Sequence, residues 1–170
     1  MAEEIINRVA QSKLKVLDLE DYYAAGERSQ IDISQWLLEG IVLVESRFRE
    51  SLKSTDFSVY QGHFVAIYCS TDAIIPQWAW MLVQSQLKDI AALTVYGNLE
   101  QLETALYRSS IEQLDLSDFQ DHPVIVKGCS NKPVPVAAYA MITERLQSVA
   151  KSIMYGEACS AVPVYKRKKS

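Results

Sequence analysis

The strongest constraint on the fold is a regular alternation of short apolar runs and helical patterns that begins at residue 63. Phe64–Tyr68 is a continuous apolar run, which is typical of a strand covered on both faces. Ala92–Tyr96 and Val124–Val126 predict two more strands of this kind. After each strand, apolar residues recur at helical spacing, in the segments Trp78–Leu87, Leu99–Leu106 and Ala138–Ile153. Strand–helix units in series require right-handed crossovers and a parallel sheet.

The chain of 170 residues is therefore predicted to form a single α/β domain. Its central, largely parallel β-sheet would be flanked by helices in a three-layer sandwich. Residues 1–62 form a mixed α+β lead-in, in which Glu3–Ser12 predicts a short helix and Ile41–Val44 a strand. Residues 63–154 hold the strand–helix units, and residues 155–170 form an irregular C-terminal tail. We expect no linker, low-complexity segment or long repeat.

Composition and charge limit the partners and the location. The net charge is −4, which disfavours nucleic acid as a partner because nucleic-acid-binding proteins usually carry a basic face. The most apolar stretch, Ala73–Val83, is interrupted by Pro76 and is too short to cross a membrane. The chain begins without the apolar region of a secretion signal, so we expect a cytoplasmic protein with reduced thiols. The sequence is also compatible with a homo-oligomer.

All three cysteines are followed by serine, and this constellation is the one that could carry chemistry. Cys69, Cys129 and Cys159 each begin a Cys-Ser pair, and the last two share the string Cys-Ser-x-x-Pro-Val. Cys69 and Cys129 follow predicted strands and precede predicted helices. We therefore expect both at the carboxyl edge of the sheet, beside helix amino termini that favour thiolates. The irregular tail would have to carry Cys159 to the same edge.

The two histidines are predicted to lie at the opposite edge of the sheet. His63 and His122 each precede a strand, whereas the cysteines follow strands. His63 is six residues before Cys69, which is about 20 Å along an extended strand. That separation argues against a cysteine–histidine catalytic pair and against a zinc site with a histidine ligand.

Three thiolates with an open position suit an iron–sulfur cluster, or zinc completed by a carboxylate or an external ligand. Serine hydroxyls could donate hydrogen bonds to the sulfurs, and Lys127 could favour the thiolate of Cys129. The segment from Gly128 to Asn131 could form an anion-binding nest. We predict that the metal ligands are Cys69, Cys129 and Cys159. The residues expected around the cofactor are Ser70, Asp72, Lys127, Ser130, Glu157 and Ser160.

Two other interpretations of the cysteines remain open. Free cysteine often packs as a small hydrophobic residue, in which case this would be a non-enzymatic interaction protein with structural, buried cysteines. A thiolate at a helix start could instead serve as the nucleophile of a small-molecule enzyme. The spacing is not that of a zinc ribbon or a ferredoxin, because the chain contains no Cys-x-x-Cys pair.

Several segments resemble a bacterial family catalogued as domain of unknown function 2480. They are Cys69–Leu82, Val126–Ser130 and Ser152–Pro163, and Phe48–Asp56 is similar as well. The family has no established activity, and its genes often lie beside those for sulfur-mobilising iron–sulfur cluster assembly. The resemblance implies a role near that process, with cluster assembly proteins as partners. It assigns a role to no individual residue.

Overall fold

The computed structural model describes residues 13–128 and 130–168. The chain divides into two units, each with its own β-sheet. One unit comprises Ala25–Ala105, and we call it the continuous unit. The other combines Met1–Ala24 with Leu106–Ser170, and we call it the split unit. The boundary between them at residue 105 falls inside a helix that spans Leu99–Glu112.

The described residues form seven strands, which are β1 (Lys15–Asp18), β2 (Arg28–Asp32), β3 (Phe64–Tyr68), β4 (Leu93–Tyr96), β5 (Pro123–Lys127), β6 (Ser152–Tyr155) and β7 (Val162–Lys166). Their four α-helices are α1 (Glu45–Ser54), α2 (Gln77–Leu87), α3 (Leu99–Glu112) and α4 (Val136–Gln147). Short 3₁₀ helices span Leu19–Tyr22, Ile33–Trp36, Phe57–Tyr60 and Ser117–Phe119. None of these helices is long and apolar enough to cross a membrane.

The continuous unit is built on a three-stranded parallel sheet in the order β2-β3-β4. The central strand β3 is buried at Val65, Ala66 and Ile67, which explains its continuous apolar sequence. Helix α1 contributes Phe48 and Leu52, four positions apart on one face, to the same core. Helix α2 packs its own buried residues into this core as well.

The split unit is built on a four-stranded sheet in the order β1-β5-β6-β7. The pairs β1–β5 and β5–β6 are parallel, and β7 is antiparallel to β6. Val124 and Ile125 of the central strand β5 are buried in the same way as their counterparts in β3. Ala138, Ile142 and Leu146 of α4 lie at helical spacing and join the core of this unit.

The predicted α/β class with largely parallel strands is confirmed. The strands lie in two sheets rather than in one central sheet, because β1 pairs with β5 while β2 pairs with β3. Parallel partners are connected through crossovers of about a dozen residues or more. Local sequence patterns therefore identify the strands without identifying the partner of each strand.

The predicted C-terminal tail, as far as residue 168, contains the last residue of β6, a tight loop and the strand β7 instead of an irregular segment. Helix α4 ends at Gln147, and Ile153 belongs to β6 rather than extending the helical stripe. After β6 the chain turns into β7, which pairs with it in antiparallel fashion. Pro163 is compatible with β7 because that strand is the last in the order of its sheet, where a missing backbone N–H is tolerated.

Two local predictions in the first half of the chain are also wrong. Ile41–Val44 forms no strand among the described elements, and this region contributes a single bridge between Leu38 and Val42. The segment Ser70–Asp72 also suggests a helix cap by its composition, but α2 begins at Gln77 directly after Pro76, so this segment does not cap it. The helix predicted for Glu3–Ser12 lies outside the described residues.

The two units contain copies of one structural motif, contrary to the expectation that the chain has no long repeat. Residues 44–97 correspond to residues 103–156 at a constant separation of 59 positions. Both copies run through an α-helix, a 3₁₀ helix, a strand, an α-helix and a parallel strand. The copies share a set of identical pairs, among them Ser58 and Ser117, Gln61 and Gln120, His63 and His122, Pro76 and Pro135, Ala79 and Ala138, Leu87 and Leu146, Tyr96 and Tyr155, and Gly97 and Gly156.

Backbone hydrogen bonds repeat at the same separation. The N–H of Gly97 donates to the carbonyl of Ile67 over 2.9 Å, and the N–H of Gly156 donates to the carbonyl of Val126 over 3.1 Å. Both glycines have a positive φ, 137° and 112°, which side-chain-bearing residues rarely adopt. The strand therefore ends at the same point in both copies, and for the same backbone reason.

The first strand of each sheet extends the correspondence. β2 ends at Asp32 opposite Tyr68, and β1 ends at Asp18 opposite Lys127, which is the repeat equivalent of Tyr68. Each aspartate then caps a 3₁₀ helix by accepting a hydrogen bond from the backbone two residues later. The fold is thus a duplicated α/β architecture with an additional strand, β7, in the split unit.

Candidate functional site

Charged side chains meet at the carboxyl edge of the four-stranded sheet. Because β1, β5 and β6 are parallel, their carboxyl ends open on the same edge. Asp18 ends β1, Lys127 ends β5, and Glu157 lies in the loop that follows β6. Nζ of Lys127 lies 3.2 Å from Oδ2 of Asp18 and 3.8 Å from Oε1 of Glu157. The bond to Asp18, followed by the charge of Glu157, raises the pKa of Lys127, so this ammonium stays charged across the neutral range.

The anion-binding nest predicted after β5 is occupied by a carboxylate of the same chain. Glu20, in the 3₁₀ helix after β1, accepts hydrogen bonds from the backbone N–H groups of Ser130 and Asn131 through one oxygen. The amide of Asn131 donates to the other oxygen over 3.4 Å. The backbone bond from Asn131, followed by the bonds from Ser130 and from the Asn131 side chain, lowers the pKa of Glu20. This nest therefore orders the loop after β5 instead of offering a free anion site.

Cys159 lies in the tight loop between β6 and β7 at this same edge. The thiol is exposed, and the turn that carries it is closed by a 2.9 Å bond from the N–H of Ser160 to the carbonyl of Glu157. Strand β6, which is parallel to β5, ends at this edge just before Cys159. The position of Cys159 therefore follows from a strand and not from the irregular tail that we expected. In sequence, Cys129 stands between Gly128 and Ser130 of the loop after β5, and it lies outside the described residues.

The edge of the continuous unit holds the third cysteine. Cys69 directly follows β3, is partly buried against the core, and has its sulfur 3.4 Å from Oγ1 of Thr71. That hydroxyl donates in turn to the carbonyl of Gly40 over 2.7 Å. The contacts fix Cys69 within its own unit, where it covers apolar side chains on one side and meets a hydroxyl on the other.

Ser70 and Asp32 form the polar part of this second edge. Oδ1 of Asp32 accepts from the N–H groups of Ser70 and Ser34, each over 3.0 Å. The two serine hydroxyls lie 3.1 Å apart. Burial would raise the pKa of Asp32, but the hydrogen bonds from Ser70 and Ser34 outweigh it and lower the pKa. Ser70 thus binds a carboxylate instead of a sulfur.

The nine predicted site residues fall into two groups that belong to different units. Cys69, Ser70 and the exposed Asp72 belong to the continuous unit. The split unit holds Lys127, Cys129, Ser130, Glu157, Cys159 and Ser160. The expectation that Cys69 and Cys129 follow strands of one sheet is therefore wrong. Among residues 13–128 and 130–168, no group of three or more His, Cys, Asp and Glu side chains could hold a metal ion.

The helices also begin farther along the chain from the cysteines than expected. α2 begins at Gln77, eight residues after Cys69, and α4 begins at Val136, seven residues after Cys129. The field of a helix terminus falls off within about one turn. Neither Cys69 nor Cys129 therefore stands in the first turn of the helix that follows it in sequence.

Both histidines directly precede their strands, as predicted, at the end opposite to the edges that hold Cys69 and Cys159. Nδ1 of His63 lies 2.9 Å from Oγ of Ser29, and its Nε2 lies 3.4 Å from Glu27. Nδ1 of His122 lies 2.7 Å from the carbonyl of Gln120. These contacts lie at the amino ends of the strands, so neither ring belongs to the sulfur-bearing edges.

Sequence reasoning missed two carboxylates and a pair of grooves. Asp18 and Glu20 organise the edge of the split unit, and each lies at or just after a strand end, which was the available signal. An apolar groove also lies beside the second helix of each motif, about 690 Å³ in the split unit and about 300 Å³ in the continuous unit. The lining residues of the smaller groove, each followed by its equivalent in the larger one, are Gln77 and Val136, Trp80 and Tyr139, Met81 and Ala140, and Tyr96 and Tyr155.

The fold and these edges define a class of protein: a duplicated α/β protein whose parallel strands end in polar loops that bear cysteine. The chain belongs to the family described as "Protein of unknown function (DUF2480)", whose model matches residues 3–167. No curated protein and no solved structure matches the chain.

Proposed function

We propose that the protein is a metal-binding accessory protein that uses the thiolates of Cys129 and Cys159 at the carboxyl edge of the four-stranded sheet. The bound group would be zinc, or an iron–sulfur cluster that is held in transit and takes further ligands from a partner. Cys69 belongs to the continuous unit and is left out of this ligand set. The proposed partners are proteins of iron–sulfur cluster assembly, and the proposed location is the cytoplasm.

The ion pair between Lys127 and Glu157 carries the proposal. Lys127 is two residues before Cys129, Glu157 is two residues before Cys159, and their charged atoms are 3.8 Å apart. An exposed pair at this distance contributes little to stability. Its value is geometric, because it brings the two cysteine-bearing segments together at one point of the sheet edge.

The chemistry of the available donors supports this reading. Thiolates are soft ligands that zinc and iron–sulfur clusters prefer, and zinc also accepts a carboxylate oxygen. The carboxylates of Glu157 and Asp18 lie at the same edge, and the ammonium of Lys127 would favour ionised thiols beside it. The exposure of Cys159 would let a partner protein reach the bound group.

The test is anaerobic purification of the full chain, followed by measurement of zinc, iron and acid-labile sulfide per chain. We expect Cys129→Ser and Cys159→Ser each to lose most of the metal. Cys69→Ser is the matched control, and it should keep the wild-type content. A wild-type protein free of metal after zinc addition, or equal losses in all three variants, would contradict the proposal.

The two other interpretations of the cysteines receive less support. Structural, buried thiols would be closed to solvent, whereas Cys159 is exposed. An enzyme with a nucleophile in the first turn of a helix is not favoured by the sequence, because α2 and α4 begin eight and seven residues after Cys69 and Cys129.

A further inference from the structure

The two copies of the motif differ at one sheet edge. In the split unit, β6 pairs with β5 on one side and with β7 on the other. β4 is the equivalent of β6, and it pairs with β3 alone. Within residues 13–128 and 130–168, no strand lies on the outer edge of β4. The split unit thus shows what the edge of the continuous unit can hold.

The backbone of β4 is oriented to accept another strand. The N–H of Gly97 points to Ile67 of β3, and strand residues alternate in the direction of their N–H and C=O groups. The backbone groups of Thr94 and Tyr96 therefore point to the outer edge. In β6 the equivalent residues, Ile153 and Tyr155, are the ones that face Tyr165 and Val162 of β7.

Nothing in the sequence of β4 blocks such pairing. Its residues, Leu-Thr-Val-Tyr, favour strands and include no charge and no proline, which are the usual devices that protect an edge. Four residues are few, but β7 pairs with just four residues of β6. The length of β4 is therefore sufficient for an occupant like β7.

A groove next to β4 lacks the wall that β7 provides in the split unit. Val164 of β7 lines the larger groove together with Tyr139 and Tyr155. The smaller groove contains the equivalent aromatic pair, and Met81 at its rim is 68% exposed. An added strand with an aliphatic side chain at the position of Val164 would cover this apolar surface.

Charges at the two ends of β4 fix the direction and the type of occupant. Lys166 of β7 pairs with the first residue of β6, and Arg167 donates to the carbonyl of Val149. The equivalent of Val149 is Ile90, which directly follows the exposed Asp89. Arg167 also pairs with Asp121, whose equivalent is Gly62, so in the continuous unit the exposed Asp89 is the carboxylate next to this carbonyl in sequence. Antiparallel pairing of β4 with a second copy would instead bring the end that carries Glu100 towards Asp89, and like charges repel.

We propose that the outer edge of β4 binds an extended segment of a partner protein, antiparallel to β4. The segment carries aliphatic side chains at alternate positions and a basic residue after them, as β7 does. Main-chain hydrogen bonds to Thr94 and Tyr96 supply the binding, and the groove beside Trp80 selects the aliphatic side chain.

The probe is a fluorescent peptide with the sequence of residues 161–168, AVPVYKRK, added to the full chain and followed by anisotropy. We expect saturable binding with one site per chain. Met81→Lys, at an exposed position, should weaken binding at least tenfold by placing a charge in the groove. Ala140→Lys is the matched control, because it alters the equivalent position of the unit that already has β7, and it should bind the peptide like wild type.

Thr94→Pro provides a second test, because it removes one outward N–H and leaves the bonds to β3 in place. This variant should also weaken binding at least tenfold while keeping the wild-type circular dichroism spectrum. No binding at about 1 mM peptide would overturn the proposal. A loss of peptide binding in Ala140→Lys but not in Met81→Lys would also overturn the proposal, because the peptide would then have displaced β7. A dimer that Thr94→Pro dissociates, without peptide binding, would show that a second copy occupies the edge.

Discussion

The rings of Tyr139 and Tyr155 meet edge to face, with centroids 5.7 Å apart and planes at 79°. Their equivalents in the continuous unit, Trp80 and Tyr96, have the same separation and the same angle. The helix residue is tyrosine in one pair and tryptophan in the other, so the motif retains the ring contact but not the identity of this residue. The contact joins the second helix of each motif to the end of its last strand, and it forms one wall of each groove.

Replacing Trp80 by the residue found at the equivalent position should therefore be tolerated. Trp80→Tyr keeps an aromatic ring at this position, and we expect a loss of less than about 1 kcal/mol in the free energy of unfolding. Trp80→Leu removes the aromatic pair and should cost about 1 kcal/mol more than the tyrosine variant. Urea unfolding of both variants measures the difference. Equal losses would show that the ring contact itself contributes nothing.

Local sequence patterns identified most strands and helices but failed where two patterns overlap. β3 and α1 were recognisable because each has a single clear period. β6 was not recognisable, because Ile153 continues the apolar spacing of α4 by coincidence. In addition, a strand of four residues is too short to show its own period. Pro163 hid β7, although the valines on either side of it alternate as strand residues do.

The duplication was detectable in principle. Pro76 and Pro135 each mark the residue before a helix, and His63 and His122 each precede a strand, at the same separation of 59. The identical pairs are scattered among dissimilar residues, so no long string repeats. The site was predicted only in part, because cysteine positions along the chain do not show which strands share a sheet.

Arg28 and Glu103 form a buried ion pair in the continuous unit, and we expect it to be important for stability. Nε and Nη2 of Arg28 contact the two oxygens of Glu103 over 2.7 and 3.2 Å, and about nine-tenths of each side chain is buried. Glu103→Gln removes the negative charge beside the buried guanidinium and should cost about 3 kcal/mol. Glu45→Gln breaks the exposed pair with Arg49 and should cost less than about 0.5 kcal/mol. Chemical denaturation compares the two, and similar costs would contradict the role of burial.

Two glycines with positive φ should respond differently to substitution. Gly62 has a φ of 75° and open space around a side chain, and its repeat equivalent is Asp121, with a φ of 59°. Gly62→Asp should therefore cost less than about 1 kcal/mol. Gly97 has a φ of 137°, where its equivalent is again glycine, so Gly97→Ala should cost about 1–3 kcal/mol. Thermal unfolding of both variants checks the order, and a cost for Gly62→Asp equal to or above that for Gly97→Ala would contradict it.

The loop after β5 should loosen in acid because Glu20 must be ionised to hold it. Its hydrogen bonds lower the pKa of Glu20 below the ordinary value of 4.5. A carboxyl with a lowered pKa stabilises the folded state above the ordinary value, and this contribution is lost as the pH falls through the lowered one. Amide signals of Ser130 and Asn131, followed by NMR, should titrate with a midpoint below 4.5. In Glu20→Gln the same signals should not move over this range, and a titration that persists would assign the effect to another group.

Cys159 and Cys69 should differ in reactivity, because one thiol is exposed and the other is packed against a core. In a Cys129→Ser background, which leaves these two thiols, iodoacetamide should alkylate Cys159 first. Cys69 should react at the slower rate set by opening of its unit. Mass spectrometry of peptides over time measures both rates. Unfolding in guanidinium should make the two rates equal, which controls for differences in intrinsic chemistry.

Zinc should protect Cys159 from alkylation only when Cys129 is present. Addition of zinc should not slow the alkylation of Cys159 in the Cys129→Ser background, since its proposed partner ligand is absent. It should slow the alkylation of Cys159 in a Cys69→Ser background. Protection by zinc in both backgrounds would show that Cys159 does not bind metal together with Cys129.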